Sequence, residues 1–163
     1  MFIRIPLIFI IYSMKENFAA RRSSLAEKVL DDSAIIVGSA PVKSRISDTD
    51  YAYRQDSNFY YLSGYEEPES LLLLRPGHNT EKFVIFCRDR DPLREQWDGF
   101  RTGQDGAVSN YGADAAYSIN AIDKLLPGML DGIKNIYFSM SAPCGVDLKI
   151  KECLELIRSN TRA

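Results

Sequence analysis

Acidic side chains form two close groups in this sequence, and paired carboxylates can perform acid–base chemistry or bind a hard cation. One group is Asp48 and Asp50, and the other is Glu66, Glu67 and Glu69. Glu67 precedes a proline, which places the second group in a turn. Clustered carboxylates at a protein surface are mostly solvated, so for both groups we favour solvation over catalysis or metal binding.

The other residues that support nucleophilic or metal chemistry are few and scattered. The single histidine, His78, lies in the turn sequence RPGHNT, which argues against a histidine-based triad or a zinc site. Cys87, Cys144 and Cys153 are odd in number and lack CxxC spacing, so we expect buried thiols and a reducing, cytoplasmic location. Cys144 has no base near it in the sequence. The residues by themselves indicate no catalytic centre.

Charge and hydropathy argue against two classes of partner. The net charge of -2 at pH 7 gives no electrostatic basis for binding nucleic acid or an anionic membrane. The apolar start MFIRIPLIFIIYSM is interrupted by Arg4 and Pro6, and it is shorter than the roughly 20 residues that cross a bilayer as a helix. We expect neither a nucleic-acid partner nor a membrane partner.

Aromatic residues are dense in the polar segment DTDYAYRQDSNFYYLSGYEEPE, residues 48–69. Tyrosine combines an apolar ring with a hydroxyl, which suits a surface that contacts another domain or subunit. Trp97, the only tryptophan, lies in the polar segment REQWDGFRTGQD. It is either a lid on core elements or an anchor at an interface, and composition does not choose between these.

Helical and strand patterns alternate along the chain. A capping box at Ser13 and Glu16 predicts a first helix over about Lys15 to Leu30. NFYYLSG is either a strand or a tight helical turn, residues 45–55 are expected to be irregular, and DPLREQWDGFRTG is expected to be a loop with one helical turn. The alternation predicts an α/β fold with one mixed sheet of five or six strands and helices on its faces. Strands are expected in SAIIVGSA, in a hairpin of SLLLLRPG and KFVIFCRD, in AAYSI and in KNIYFSM; helices are expected in GQDGAVSNYG, in AIDKLLPGML with a kink or end near Pro127, and over Asp147–Arg158.

The chain divides into an apolar extension, residues 1–13, and one domain, residues 14–163. We favour a natural start at Met14, with the extension lying upstream of it. A poor signal sequence and a docking strand are the alternatives. The polar end RSNTRA follows the last helix, which is expected where a fragment or a natural truncation ends at a domain boundary.

The chain resembles the N-terminal domain of the aminopeptidase P (Xaa-Pro aminopeptidase) family in three segments: RRSSLAEKV, DTDYAYRQDSNFYYLSGYEEPES and REQWDGFRTGQDGA. The first family pattern is an aspartate followed by Y-x-[FY]-R-Q-[DN]-S-[DN]-F-x-Y-L-[TS]-G-[FY]-x-E-P, and residues from Asp48 through Pro68 match it. The resemblance extends over about Asn17 to Leu156 and leaves Met1 to Ser13 outside. A second pattern, R-D-x-x-x-E-x-W-x-G-x-R-x-G, is matched by Arg90, Asp91, Glu95, Trp97, Gly99, Arg101 and Gly103.

The resemblance implies a two-domain enzyme that removes an N-terminal residue preceding proline. In that family a C-terminal "pita-bread" domain holds two metal ions, usually manganese, through two aspartates, a histidine and two glutamates. The resemblance implies that this chain is the other domain, with a mixed sheet of a ribonuclease-H-like motif shared with creatinase and prolidase relatives. This chain is then expected to hold no catalytic residue, metal ligand or cofactor of its own.

The resemblance also implies site residues and partners. In tetrameric bacterial relatives, an aspartate and a tryptophan at the positions of Asp48 and Trp97 reach toward a neighbouring subunit's active site. We therefore place Asp48, Trp97, Tyr53 and Arg54 at a substrate cleft or subunit interface. Arg54, with Gln55, is also a candidate for holding the domain together, and Asp48 is alternatively a turn cap. The expected partners are the catalytic domain, further copies of the chain, and a peptide with proline in second position.

Three functions stay open on the sequence. The first is the non-catalytic N-terminal domain of a manganese-dependent Xaa-Pro aminopeptidase. The second is a stand-alone self-associating or protein-binding module from a truncated gene. The third is the equivalent domain of a prolidase-like relative, although the R-Q-[DN]-S-[DN]-F run favours aminopeptidase P.

Overall fold

The computed structural model describes residues 7–140 and 145–161. Helices and strands alternate as the sequence predicts, and a short 3₁₀ turn over Ile119–Ala121 precedes the fifth helix. The helices are α1 (Leu7–Ala26), α2 (Ser57–Ser63), α3 (Pro92–Asp98), α4 (Gly103–Tyr111), α5 (Ile122–Leu130) and α6 (Val146–Thr161). The strands are β1 (Ser33–Gly38), β2 (Ser44–Ile46), β3 (Thr49–Asp50), β4 (Leu71–Leu74), β5 (Phe83–Cys87), β6 (Ala115–Ser118) and β7 (Asn135–Phe138).

The main sheet is mixed and has five strands in the order β6-β5-β4-β1-β7. Strand β4 runs antiparallel to both β1 and β5, while β7 is parallel to β1 and β6 is parallel to β5. Four strands therefore point the same way, and their carboxyl ends lie along one edge of the sheet together with the start of β4. This confirms the predicted mixed sheet flanked by helices.

The core lies on both faces of the sheet, because strands β4 and β5 are apolar at every position and alternate residues face opposite sides. Leu72 and Ile85 pack on the face covered by α1, α2 and α4. Leu73 and Val84 pack on the opposite face, where α5 and α6 supply Leu126 and other apolar side chains. Uniform burial explains why these strands read as continuous hydrophobic runs.

Helix α1 differs from the sequence prediction at both ends. It begins at Leu7, so Ser13 and Glu16 lie inside the helix and do not mark its start. It ends at Ala26, and shortly beyond it the amides of Lys28 and Val29 bond to carbonyls only three residues back, which tightens the chain. A serine followed three residues later by glutamate also fits a helix interior, which is why the pattern misplaced the start.

Three further elements correct the prediction or decide between its alternatives. Residues 44–50 form a small antiparallel hairpin, β2–β3, where we expected irregular chain; its residues are exposed on both faces, so no alternation marked it. The open choice for NFYYLSG resolves as helix α2. Helix α5 continues through Pro127 to Leu130, so of the kink or end expected near Pro127 the structure excludes the end.

Candidate functional site

Two stretches of chain project from the edge where the parallel strands end. The first excursion, residues 41–54, follows β1 and contains the β2–β3 hairpin. The second excursion, residues 89–101, follows β5 and contains α3. Because β1 and β5 both run antiparallel to β4, both excursions leave the same edge of the sheet. This topology brings the segments that carry Asp48 and Trp97, far apart in sequence, to one end of the domain.

Asp48 lies in the turn between β2 and β3 and is exposed. That position agrees with the turn alternative, and it also leaves the carboxylate accessible to another molecule. Arg54, at the end of the same excursion, is exposed as well. Ile46 and Tyr51 are large apolar side chains of this excursion that remain in solvent.

Gln55 closes the base of the first excursion. Its Oε1 accepts from the backbone N–H of Ala40 at 2.8 Å and of Asp56 at 2.9 Å. Its Nε2 donates to the carbonyl oxygens of Tyr65 at 3.2 Å and Glu67 at 2.9 Å. One amide side chain thus joins β1, the start of α2 and the segment before β4, so Gln55 is the residue that holds this region together.

Tyr53 also helps to close the base of the first excursion. Its hydroxyl lies 3.0 Å from the carbonyl oxygen of Ala40, to which it donates, and 3.0 Å from Gln55 Oε1. Burial raises the pKa of Tyr53, so the hydroxyl stays protonated and available as a donor at neutral pH. Its half-buried side chain supports the base of the excursion, while Asp48 occupies the tip.

Local capping builds helix α3 in the second excursion. Asp91 Oδ1 accepts from the N–H groups of Leu93 and Arg94, each at 3.1 Å, and Pro92 occupies the first helical position. Glu95 accepts two hydrogen bonds from Arg90, at 2.6 and 3.0 Å. These bonds lower the pKa of Glu95, so the pair stays charged at neutral pH.

Trp97 points away from the core and is 88% exposed, which excludes the alternative of a lid on core elements. Leu93 and Phe100 in the same excursion are 76% and 68% exposed. Such large apolar side chains, grouped beside charged residues, are typical of an interaction surface. The Arg90 guanidinium lies 4.4 Å from the centre of the Phe100 ring and shields one part of this group.

Glu67 closes the base of the second excursion. Its Oε1 accepts from the backbone N–H of Thr102 at 2.7 Å, and its Oε2 lies 3.4 Å from Nη2 of Arg88. The two side chains of this ion pair are only 16% and 14% exposed. The sequence interpretation of a solvated acidic group is therefore wrong for Glu67, although Glu66 and Glu69 are exposed.

The tyrosine-rich segment divides between core and surface. Phe59 and Tyr65 are fully buried, and the Tyr65 ring packs 4.8 Å from that of Tyr111. Burial raises the pKa of Tyr65 far above its ordinary value. Tyr51 and Tyr61 are exposed. The mixture of aromatic and polar residues thus builds one core layer and leaves two aromatic side chains available for contacts.

A groove of about 770 Å³ lies beside β1, between α1, α2 and β7. Its lining includes Arg21, Ile35, Tyr61 and Tyr137. None of the four site residues predicted from the sequence is in this lining, so the excursions form a separate surface.

Residues 7–140 and 145–161 offer neither a metal site nor a membrane-spanning helix. Within these ranges no group of three or more His, Cys, Asp or Glu side chains could hold a metal ion. The donor set that manganese would require is therefore not offered by this part of the chain. Nor do these ranges contain a helix of the length and hydropathy needed to cross a bilayer.

Comparison with known proteins gives consistent matches. A family model described as "Aminopeptidase P, N-terminal domain" matches residues 18–137. The Xaa-Pro aminopeptidase of Escherichia coli K12 is 34% identical over 149 residues, which are 91% of this chain and 34% of that protein. Human Xaa-Pro aminopeptidase 3 is 37% identical over 121 residues, which are 72% of this chain and 24% of that protein.

Solved structures agree with the sequence matches. The structure of Pseudomonas aeruginosa aminopeptidase PepP aligns with a TM-score of 0.88 at 42% identity, covering 99% of this chain and 35% of that one. Escherichia coli aminopeptidase P in its low-pH form aligns with a TM-score of 0.86 at 34% identity, covering 91% of this chain and 34% of that one. The chain spans about a third of the length of these two relatives, and it belongs to the aminopeptidase P family, whose N-terminal domain it matches.

Proposed function

We propose that this chain acts as the non-catalytic N-terminal domain of a manganese-dependent Xaa-Pro aminopeptidase, with its two excursions forming part of the wall of a substrate cleft. The observation that carries this proposal is the placement of Asp48 and Trp97, both exposed, on neighbouring projections of one sheet edge. Family membership supplies the reaction class, because similar proteins are named Xaa-Pro aminopeptidases.

The two side chains have chemistry that suits a short peptide with a free amino end. A carboxylate such as Asp48 can form a charge-assisted hydrogen bond with a peptide ammonium group. The indole of Trp97 offers a flat apolar surface against which a peptide side chain or a proline ring can pack. Together they would narrow the cleft and select short substrates, while neither transfers a proton or attacks the peptide bond.

We place the bond-breaking chemistry in the part of the enzyme that corresponds to the remaining two thirds of the relatives' length. The described residues supply no metal donor set, so activation of water by manganese would depend on that second part. This chain alone is then inactive, and its first partner is the catalytic domain. The buried free thiols of Cys87 and Cys153 support a reducing, cytoplasmic location.

We also propose that the exposed edge meets another copy of the chain. Leu93, Trp97 and Phe100 form an apolar group on one excursion, and tryptophan is among the residues that contribute most at protein interfaces. Burying them between subunits would remove this group from water and place each edge beside a neighbour's cleft. For the isolated chain we expect a dimer or a weaker association.

The proposal is tested in a fusion of this chain to the catalytic part of the Pseudomonas aeruginosa relative, assayed on an Xaa-Pro peptide with manganese. Asp48→Ala and Trp97→Ala are each expected to lower kcat/KM at least about tenfold, the loss that corresponds to about 1.4 kcal/mol of transition-state binding. The matched controls are the exposed neighbours Ser47→Ala and Gln96→Ala, expected within about twofold of wild type. Equal activity of all four variants would contradict the cleft role.

Self-association has its own test, because Trp97 is the only tryptophan in the sequence. Its emission should shift to shorter wavelength as the concentration of the isolated chain rises, in step with the mass measured by light scattering. The Leu93→Ala variant should move both transitions to higher concentration. A mass increase without any change in Trp97 emission would place the contact elsewhere on the domain.

A further inference from the structure

The bases of the two excursions are closed by side chains that meet at one residue. The first excursion lies between Ala40 and Gln55, whose Oε1 accepts from the Ala40 N–H at 2.8 Å. The second excursion lies between Arg88 and Thr102, and both of these residues contact the Glu67 carboxylate. Each projection is therefore held at its root, where a small displacement would move the whole tip.

Glu67 contacts both roots through different atoms. Its carbonyl oxygen accepts from Gln55 Nε2 at 2.9 Å, which connects it to the first excursion. Its carboxylate accepts from Thr102 N at 2.7 Å and faces Arg88, which connects it to the second. The backbone carbonyl of Glu67 thus binds the base of the first excursion, and its carboxylate binds the base of the second. A substitution of the side chain can therefore break the second connection and leave the first in place.

The segment around Glu67 is itself fixed to the sheet. Ser70 Oγ donates to the carbonyl oxygens of Glu67 and Pro68, at 3.0 and 2.9 Å. The backbone of Ser70 bonds to Ser39 in both directions, with Ser70 N–H donating to Ser39 Oγ and Ser39 N–H donating to Ser70 O, each at 2.9 Å. Because Ser39 directly follows β1, these bonds fix the position of Glu67 relative to a strand of the main sheet.

We propose that Glu67 is a positioning residue that sets the placement of the Trp97 excursion relative to the Asp48 excursion. Its consequence for a substrate cleft rests on the proposed function, whereas the contacts at the two roots do not. Glu67 acts here through Thr102 and Arg88. A partly buried carboxylate suits this task, because charge-assisted hydrogen bonds are shorter and stronger than neutral ones.

Amide hydrogen exchange in the intact chain tests the proposal at single residues. Glu67→Ala removes the acceptor of a charge-assisted hydrogen bond, so exchange at Thr102 should accelerate roughly 10- to 100-fold. Alanine keeps the carbonyl that binds Gln55, so exchange at Ala40 should stay within about twofold after scaling for any global loss of stability. The exchange of core amides of Leu73 and Ile85 gives that global scale.

Two variants distinguish loss of the Glu67–Thr102 hydrogen bond from a nonspecific effect of substitution in this segment. Glu67→Gln keeps one oxygen that can accept from Thr102 N–H, but it loses the charge and replaces the oxygen that faces Arg88 by an NH2 group. Because the Thr102 acceptor remains, this variant should restore Thr102 exchange to within about fivefold of wild type. The exposed neighbour Glu66→Ala should leave it unchanged. In Glu67→Ala, the fluorescence anisotropy of Trp97 should fall, because the second excursion gains motion about its root.

The outcomes distinguish this proposal from the proposed function. Unchanged exchange at Thr102 in Glu67→Ala, or exchange that rises only in step with Leu73 and Ile85, would overturn the positioning role. Faster exchange at Thr102 with unchanged kcat/KM in the fusion would uphold positioning and refute the cleft role of the excursions. Faster exchange with lower kcat/KM supports both.

Discussion

Replacing Gln55 tests how much the hydrogen bonds at the base of the first excursion contribute to the stability of the domain. Gln55→Ala removes contacts to Ala40, Asp56, Tyr53, Tyr65 and Glu67. At roughly 0.5–1.5 kcal/mol for each hydrogen bond, with water able to reach some of the released groups around a half-buried side chain, we expect a loss of about 3 kcal/mol in the free energy of unfolding. With a urea dependence of about 2 kcal/mol per molar, the unfolding midpoint should fall by about 1.5 M.

Arg54 is the matched control for this experiment, because it is adjacent in sequence but exposed. Arg54→Ala should change the free energy of unfolding by less than about 0.5 kcal/mol, as is usual for surface positions. Gln55→Glu keeps the acceptors and loses both donors, and it turns a carboxylate toward two carbonyl oxygens, so it should be about as damaging as alanine. A loss below about 1 kcal/mol for Gln55→Ala, or an equal loss for Arg54→Ala, would refute the argument.

Other predictions follow from single side chains. The hydrogen bonds from Arg90 lower the pKa of Glu95, so the charged pair stabilises the fold fully above the ordinary glutamate pKa of 4.5. This stabilisation should be lost as the pH falls through the lowered pKa of Glu95. Trp97 emission should report the change, and Glu95→Gln should abolish the pH dependence. Arg22 donates to Leu62 O at 2.8 Å and lies 3.9 Å from the centre of the Phe83 ring, so Arg22→Ala should cost about 2–3 kcal/mol in urea unfolding, against less than about 0.5 for its exposed neighbour Ser23→Ala. Gly64 has φ +69 and an added Cβ would lie 2.5 Å from Phe18, so Gly64→Ala should lower the melting temperature, whereas Gly128→Ala in α5, where nothing lies within 4 Å, should raise it.

Much of the sheet could be predicted from the sequence, because a strand that is buried on both faces appears as a continuous run of apolar residues. LLLL and FVIFC are apolar at every position, and both are fully buried strands paired as a hairpin. Helix α4 was also predictable, since Gly112 ends it in the left-handed conformation that favours glycine. The β2–β3 hairpin could not be found in this way, because its residues are exposed and follow no alternating pattern.

The site was only partly predictable. The family resemblance points to Asp48 and Trp97, and the structure adds that strands β1 and β5, which run in the same direction, carry their segments to one edge. The sequence indicates Gln55 as a residue that holds the domain together, but it does not show its connection to Glu67, because the Gln55–Glu67 and Glu67–Thr102 hydrogen bonds join residues 12 and 35 positions apart. A glutamate before proline and a glutamine among tyrosines were visible signals, but only the fold shows which backbone groups they meet.

The central claim is that this chain shapes and positions a cleft edge while the chemistry belongs to a second domain. Its most direct test is hydrolysis of an Xaa-Pro peptide by the purified chain alone, with manganese added across a range of chain concentrations. The account predicts release of the first residue at the rate of the protein-free blank at every concentration. Manganese-dependent turnover that rises in proportion to the chain would contradict it.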